Sequence, residues 1–358
     1  MIEDFYALQP YSLSQPEKEN LLLPELRTLT RHHYENCQPY HSILDAMNIN
    51  IDDINTVSDI PFFPVRMFKE LDLMSIPKEQ IFKTATSSGT TGQKVSKVYA
   101  DMETAMIQQK VLIKIFGDFL GKKRLPMLVI DSAETVRNRQ LFSARGAAII
   151  GLQMIASKQV FALDKDMNLQ KELVCEFLRE HAGQKFLIFG FTFMAWQHFY
   201  KELLKIYERF DLSEAFLMTS GGWKKLQSQA ISREEFKARF EEVCGLRHFL
   251  DHYGMAEQIG AINAECECGH LHASIYSDII PRRHTDFSPC EIGEPGILQM
   301  VSVLPHSYPG HSLISEDEGV LLGVDDCPCG RKGKYFEVLG RIKQAELRGC
   351  SDTYAARF

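Results

Sequence analysis

Residues 86–97 read Thr-Ser-Ser-Gly-Thr-Thr-Gly-Gln-Lys-Val-Ser-Lys. Six hydroxyl side chains (Thr86, Ser87, Ser88, Thr90, Thr91 and Ser96) stand beside two glycines, Gly89 and Gly92, and two lysines, Lys94 and Lys97. Such a run suits a polyphosphate. Glycines let backbone N–H groups close around oxygens, hydroxyls donate further hydrogen bonds, and lysine supplies charge. It departs from the common P-loop, whose glycines are more widely spaced and lead into Gly-Lys-Ser/Thr. A solvated polar turn fits the same residues equally well.

Two further stretches carry polar groups behind short apolar runs: Ser220-Gly221-Gly222 and Tyr253-Gly254-Met255-Ala256-Glu257. A tyrosine face stacks on a planar base, and a carboxylate accepts paired hydrogen bonds. Taken singly, Tyr253 also reads as a core aromatic beside a turn, and Glu257 as a helix-start carboxylate favoured by the dipole. Cysteines form the other signal. Cys266-Glu267-Cys268-Gly269-His270 and Cys327-Pro328-Cys329-Gly330-Arg331 share the pattern Cys-x-Cys-Gly. A glycine after a thiolate ligand permits the tight turn in which backbone N–H groups bond to sulfur. Cys266, Cys268, Cys327 and Cys329 are therefore a candidate structural zinc site, with His270 or His272 able to replace one thiolate. The alternative is a small core of reduced cysteines. Cys37, Cys175, Cys244 and Cys290 have no pairing pattern and read as packing residues.

The elements that must position these groups follow from periodicity. A chain of 358 residues, 45% hydrophobic and 24% charged, has the composition of a soluble globular protein and the length for a large core. A net charge of −7 argues against a nucleic-acid partner. The N-terminus lacks a basic region followed by an apolar stretch, so no signal peptide is expected. The longest apolar run, 186–196, is too short to span a bilayer, so no membrane insertion is expected. Nine cysteines without an export signal point to a reducing, cytoplasmic compartment. Residues 1–60 read as helical, with Leu21, Leu22, Leu23, Leu26 and Leu29 apolar and Pro24 near a helix start. Pro61 and Pro64 make 61–65 a packed connection. Helices are predicted over 101–120, 169–181, 196–210 and 233–243. Strands are predicted over 125–130, 186–189 (broken by Gly190), 215–218 and 246–250. This alternation predicts an α/β fold with a largely parallel sheet. Beyond 261 the short Gly-, Pro- and Cys-rich runs read as β-rich. The expected parts are a helical 1–80, an α/β core for nucleotide and acyl binding over 81–260, and a β-rich 261–358 with the candidate zinc site.

In this order the motifs resemble the adenylate-forming (AMP-binding) superfamily, whose members activate carboxylates with ATP. Within it they are most similar to the acyl-protein synthetases of bacterial bioluminescence operons, the LuxE-like family. The likeness runs from 61–69 through 86–97, Gly190-Phe191-Thr192-Phe193-Met194, Gly221-Gly222-Trp223-Lys224-Lys225 and 253–258. It continues to Pro309-Gly310-His311, Glu316-Asp317, Gly340-Arg341 and Leu347-Arg348-Gly349-Cys350. The resemblance implies the large-domain architecture of that superfamily, with mixed and parallel sheets flanked by helices. The superfamily's usual mobile C-terminal domain is expected to be absent, as it is in the acyl-protein synthetases.

The resemblance also implies roles. Ser87, Ser88, Gly89, Thr90, Thr91 and Gly92 would hold the ATP phosphates, with Lys97 or Lys94 as the phosphate lysine; Val95 stands where the superfamily usually has proline. Gly221, Gly222 and Tyr253 would flank the adenine, Asp317 would bind the ribose with Arg341 nearby, and Glu257 would help hold magnesium. Cys350, on a mobile tail beside Arg348, would be the nucleophile toward the acyl adenylate, since a thiolate near a guanidinium is activated. Phe191, Phe193, Met194 and Trp196 would line an acyl pocket, or serve only as strand core. Lys224 and Lys225 read either as attracting carboxylate or phosphate or as a solvated basic pair. The implied function is ATP-dependent activation of a fatty or related carboxylic acid as acyl-AMP. Transfer to Cys350 follows, and then transfer to a reductase-type partner protein that makes an aldehyde. A homo-oligomer is compatible with this reading. The rivals are an acyl- or aryl-CoA ligase of the phenylacetate type and a non-catalytic nucleotide- or acyl-binding regulatory protein.

Overall fold

The structure is a computed structural model of the chain and describes residues 8–86, 95–137, 144–223 and 230–342. These fall into two compact units, one built from 1–119 with 253–347 and the other from 120–252.

The first unit opens with the helix Gln15–Asn36. Ser14 starts it: the Ser14 backbone N–H and hydroxyl both donate to Glu17 Oε2, at 2.9 and 2.6 Å. Pro16 sits in the first turn, where its missing N–H costs nothing. The helix therefore begins well before Pro24, contrary to expectation, and Pro24 lies inside it. An interior proline costs about 3 kcal/mol. Burial of Leu22, Leu26 and Leu29 on one face contributes about 1.5–3 kcal/mol each, so packing carries the helix through the proline. A second helix, Gln38–Ala46, follows, and then strands β1 (Phe63–Pro64), β2 (Lys83–Thr86) and β3 (Lys97–Ala100). Asp101 starts the next helix, Met102–Leu120, by accepting the Thr104 N–H at 2.7 Å.

The second unit holds β4 (Leu125–Ser132), β5 (Ala156–Leu163), β6 (Leu187–Phe191), β7 (Phe216–Ser220) and β8 (His248–Leu250). They form one parallel sheet in the order β5-β4-β6-β7-β8. Intervening helices, including Ala144–Leu152, Lys171–Glu180 and Arg233–Cys244, make the crossovers that parallel neighbours require. Met127, Leu128, Val129, Ile130, Leu187 and Ile188 are all fully buried, as expected of strands covered on both faces. Two details differ from expectation. Gly190 does not break β6, which runs on to Phe191. A Cβ at Gly190 would lie 3.0 Å from the Ile130 Cβ, so the glycine serves close packing within the sheet rather than a turn. The helix expected over 196–210 instead occupies 192–203, with its middle, Ala195–Tyr200, wound as a π-helix. It stops at Leu203 because the buried face stops there; Leu204 and Tyr207 lie in solvent.

The chain then returns to the first unit through β9 (His252–Tyr253), β10 (Asn263–Glu265) and β11 (Leu271–His272). It continues with β12 (Ser277–Arg282), β13 (Pro295–Ser302), β14 (Ser312–Val324) and β15 (Lys334–Arg341). The sheet order is β12-β13-β14-β15-β11-β10-β9, with β1 added in parallel against β14 through Phe63↔Leu313. Its core gathers Leu271, Ile279, Leu298, Met300, Leu321 and Phe336. A buried ion cluster ties the first helix to this sheet. Asp278 on β12 lies 3.0 Å from Lys18 Nζ and 2.7 Å from Lys334 Nζ. Burial alone would raise the Asp278 carboxyl, but the two ammonium groups outweigh it and hold the pKa at about 2.

Candidate functional site

Strands β14 and β15 present a carboxylate and a guanidinium at one end of their ladder, where Asp317 pairs in register with Arg341. A register shift follows at once, between Glu318 and Gly319, and such bulges re-aim side chains at strand ends. The Arg341 Nε lies 3.8 Å from Asp317 Oδ1. On the other carboxylate oxygen, Oδ2, the Tyr253 hydroxyl donates at 2.8 Å. Burial, then the Asp317 charge and hydrogen bond, push the Tyr253 phenol well above its ordinary value, so it remains a donor. The tyrosine ring meets Phe336 edge-on, with centroids 6.2 Å apart. Tyr253, Asp317 and Arg341 thus form one connected group, in which the carboxylate is already oriented by two partners.

Four residues past Tyr253, Glu257 lies in the short helical turn Ala256–Gln258. It is buried, and burial raises its carboxyl, partly countered by hydrogen bonds from the Ser96 hydroxyl and its own N–H. Gln258 anchors the turn by donating to the Met300 and Gly310 carbonyls at 3.0 and 2.7 Å. Gly260 closes it at φ +89°; a Cβ there would lie 2.6 Å from the Gln108 carbonyl oxygen, so only glycine fits. Ser96 is buried, whereas Lys97 is exposed at the start of β3. Thr86 of β2 pairs with Lys97, which brings the two ends of the hydroxyl-rich run side by side. Ser87, Ser88, Gly89, Thr90, Thr91, Gly92 and Lys94 lie outside the described residues.

The second unit contributes a separate group. β6 ends at Phe191, and Phe191, Phe193, Met194 and Trp196 are all buried. The Trp196 ring stacks on Tyr200 with centroids 4.3 Å apart. Thr192 Oγ1 donates to the Gly221 carbonyl at 2.6 Å, fixing the turn after β7, where Gly221 has φ +66°. Gly222 has open space where a side chain would stand. Lys224, Lys225 and Cys350 lie outside the described residues.

Of the Cys-x-Cys-Gly cysteines, the fold gathers Cys266, Cys327 and Cys329, together with His272. Cys268 is exposed and outside that group, so the expected four-cysteine set is not the one assembled. The Cys266 N–H donates to the His270 carbonyl and the Gly269 N–H to the Cys266 carbonyl, both at 2.8 Å, and this turn leaves Cys266 buried and Cys268 exposed.

The model of the family described as acyl-protein synthetase, LuxE, matches residues 2–358. The chain belongs to the LuxE acyl-protein synthetase family. Its relatives include the long-chain-fatty-acid–luciferin-component ligase of Vibrio harveyi, 22% identical over 98% of this chain and 91% of the relative. The Aliivibrio fischeri protein of the same name is 20% identical over 97% of this chain and 91% of its own length. Among solved structures, 2-hydroxyisobutyryl-CoA ligase in complex with 2-HIB-AMP and CoA superposes with a TM-score of 0.72. It is 15% identical over 93% of this chain and 70% of its own. The fold is that of adenylate-forming ligases, as the motif order implied, and this LuxE-family chain is an acyl-protein synthetase-type ligase. No helix among the described residues is long and apolar enough to cross a membrane.

Sequence reasoning missed one polar group of this LuxE-family chain. Asp131, near the C-terminal end of β4, pairs with Arg145 at 3.3 Å and accepts from Thr135 Oγ1 at 2.6 Å. The Arg145 guanidinium also reaches within 3.9 Å of the Met194 sulfur. Burial raises the Asp131 carboxyl, and Arg145 partly restores it. In open α/β sheets ligands gather at the carboxyl ends of strands, which is where Asp131 lies. Its only signal in the sequence was an aspartate closing an apolar run.

Proposed function

We propose that this LuxE-family ligase activates a long-chain or related fatty acid with ATP and carries the acyl group on its own Cys350. One observation carries the nucleotide half: the Asp317 carboxylate is held between the Tyr253 hydroxyl and Arg341, poised to accept the two ribose hydroxyls. In the first unit, Asp317 and Arg341 take the ribose and the Tyr253 ring flanks the adenine. Glu257 contributes a carboxylate to magnesium; its burial and raised carboxyl suit a group that ionises against a cation. The hydroxyl-rich loop, with Ser87, Ser88, Gly89, Thr90, Thr91, Gly92 and Lys97, holds the phosphates. In the second unit, Phe191, Phe193, Met194 and Trp196 offer apolar surface suited to an acyl chain, and the Gly221-Gly222 turn after β7 offers exposed backbone suited to a planar group. Magnesium, when bound, offsets charge on the phosphates.

The chemistry has two steps. The substrate carboxylate oxygen attacks the α-phosphorus of ATP, and pyrophosphate leaves with the bonding electrons. The Cys350 thiolate then attacks the acyl carbonyl carbon, AMP leaves, and a thioester remains on sulfur. The relatives' name, long-chain-fatty-acid–luciferin-component ligase, supports a long-chain acid, and a reductase-type partner protein is the acceptor we propose for the acyl group. The free cysteines support a reducing, cytoplasmic location.

The test is intact-mass analysis after incubation with ATP, magnesium and a panel of fatty and aromatic acids. The expected result is a hydroxylamine-labile acyl adduct that needs ATP and disappears in Cys350→Ser. When CoA is added to the same incubation, acyl-CoA production that survives Cys350→Ser would instead support a CoA ligase. ATP binding without pyrophosphate exchange for any acid would support a regulatory protein.

A further inference from the structure

We infer that Cys266, His272, Cys327 and Cys329 form a closed zinc site with three sulfur ligands and one nitrogen. The four ligand atoms lie within 4.8 Å of one another. A tetrahedral zinc has about 2.3 Å to sulfur and about 2.0–2.1 Å to nitrogen, so its ligand atoms stand about 3.8 Å apart sulfur to sulfur and about 3.5 Å apart sulfur to nitrogen. The Cys266 and Cys327 sulfurs are 3.9 Å apart, and Cys329 Sγ is 3.4 Å from His272 Nε2. Two of the six edges thus have zinc-tetrahedron lengths and the other four are bounded at 4.8 Å; His270 Nδ1 also approaches the Cys327 sulfur, at 3.3 Å. The sulfur-to-sulfur separation is not a disulfide distance, which is about 2.05 Å.

The surroundings are built for thiolates. Each cysteine pair lies in a turn closed by a glycine in the left-handed region, Gly269 at φ +81° and Gly330 at φ +82°. Gly269 N–H bonds the Cys266 carbonyl at 2.8 Å, and Gly330 N–H bonds the Cys327 carbonyl at 2.9 Å. Backbone N–H groups of Cys268 and His270 point at the Cys266 sulfur, that of Cys329 at the Cys327 sulfur, and that of Arg331 at the Cys329 sulfur at 3.4 Å. Such N–H···S bonds orient thiolate ligands and draw off their charge. Zinc with three thiolates and a neutral imidazole carries one net negative charge. The Arg331 guanidinium stands beside it, itself held by Asp118 at 3.0 Å and Glu267 at 2.9 Å. His272 is fully buried and stacked on Tyr335, and its Nδ1 has no hydrogen-bond partner among the described residues, whereas Nε2 faces the Cys329 sulfur. Cys268 is exposed and takes no part.

Four protein ligands leave no open position, so the role is structural. The metal clips the turn between β10 and β11 to the tip of the β14–β15 hairpin. The opposite end of that hairpin pairs Asp317 with Arg341. The metal therefore sets the register of the strands that carry the proposed ribose group without touching it. This inference rests on the geometry of Cys266, His272, Cys327 and Cys329 and survives any failure of the proposed ligase chemistry.

Elemental analysis of protein grown with ample zinc is expected to find about one zinc per chain. X-ray absorption should give three sulfurs and one nitrogen at the distances above. Cobalt(II) added to chelated protein should give a thiolate-to-metal charge-transfer band with tetrahedral absorption. Cys268→Ser should keep full metal content, while Cys329→Ser and His272→Ala should lose at least tenfold in metal affinity. Measurements on the unmodified protein decide the matter if those variants fail to fold. A metal-free protein that gives no cobalt charge-transfer band would overturn the site. So would a four-sulfur shell, or metal loss on Cys268→Ser.

Discussion

Asp317→Ala is the sharpest test of the nucleotide assignment. In the free protein the carboxylate is 23% exposed, accepts one hydrogen bond from Tyr253 at 2.8 Å and lies 3.8 Å from Arg341. When ribose arrives, two hydroxyls donate to it, and the Tyr253 bond is exchanged for one of them. The net gain is close to one hydrogen bond to a charged group, about 1.5–3 kcal/mol. Asp317→Ala should therefore raise the Kd for ATP by about 10- to 150-fold. Tyr253→Phe keeps the ring and the carboxylate and removes only the competing hydroxyl. It should change ATP affinity by less than about fivefold, the equivalent of about 1 kcal/mol. Titration calorimetry with ATP and with 2′,3′-dideoxy-ATP separates the ribose from the rest of the nucleotide. The unmodified protein should discriminate between the two ligands, and Asp317→Ala should not. If Asp317→Ala binds ATP with unchanged affinity, or still prefers ATP over the dideoxy analogue, Asp317 does not hold the ribose.

Three other outcomes are expected. Cys350→Ser should keep acid-dependent ATP–pyrophosphate exchange while losing the hydroxylamine-labile adduct; an undiminished adduct by intact mass would exclude Cys350. Because burial raises the Glu257 carboxyl while no magnesium is bound, the acid limb of magnesium affinity against pH should lie above the usual carboxylate range. Glu257→Gln should abolish that limb and weaken magnesium dependence, and a limb at ordinary carboxylate pH in the unmodified protein would contradict the role. Asp278→Asn leaves the buried Lys18 and the partly exposed Lys334 without their counter-ion and should cost about 3–5 kcal/mol in urea unfolding. The folded pKa of about 2 lies below the unfolded value, so this stabilisation is present above the unfolded pKa and is lost as pH falls through the folded one. The gap between mutant and unmodified protein should shrink over that acid window, and a constant gap would refute the charge explanation.

What could be read from the sequence was what depends on neighbours along the chain. The helix Arg233–Cys244 and the buried strands β4, β6 and β7 follow from local periodicity, and the parallel sheet follows from their alternation with helices. Errors arose where packing overrides local preference. Pro24 stays inside a helix because the leucines around it are buried, and Gly190 stays in a strand, where a Cβ would crowd Ile130 at 3.0 Å. Asp131 meets Arg145 only after two elements fold against each other, so no spacing announces the pair.

The cysteines make the same point most sharply. Both Cys-x-Cys-Gly runs read alike, yet one turn sends both sulfurs inward and the other sends one. The ligand that replaces Cys268 is chosen by strand pairing. His272 lies in β11 opposite Tyr335 of β15, and that register, not the motif, carries its ring to the sulfur of Cys329. A slip of one residue would turn His272 to the other face of the sheet. A ligand set assembled from two turns and a strand register depends on contacts between residues far apart in the chain. The sequence can nominate the donors, but only the fold selects among them.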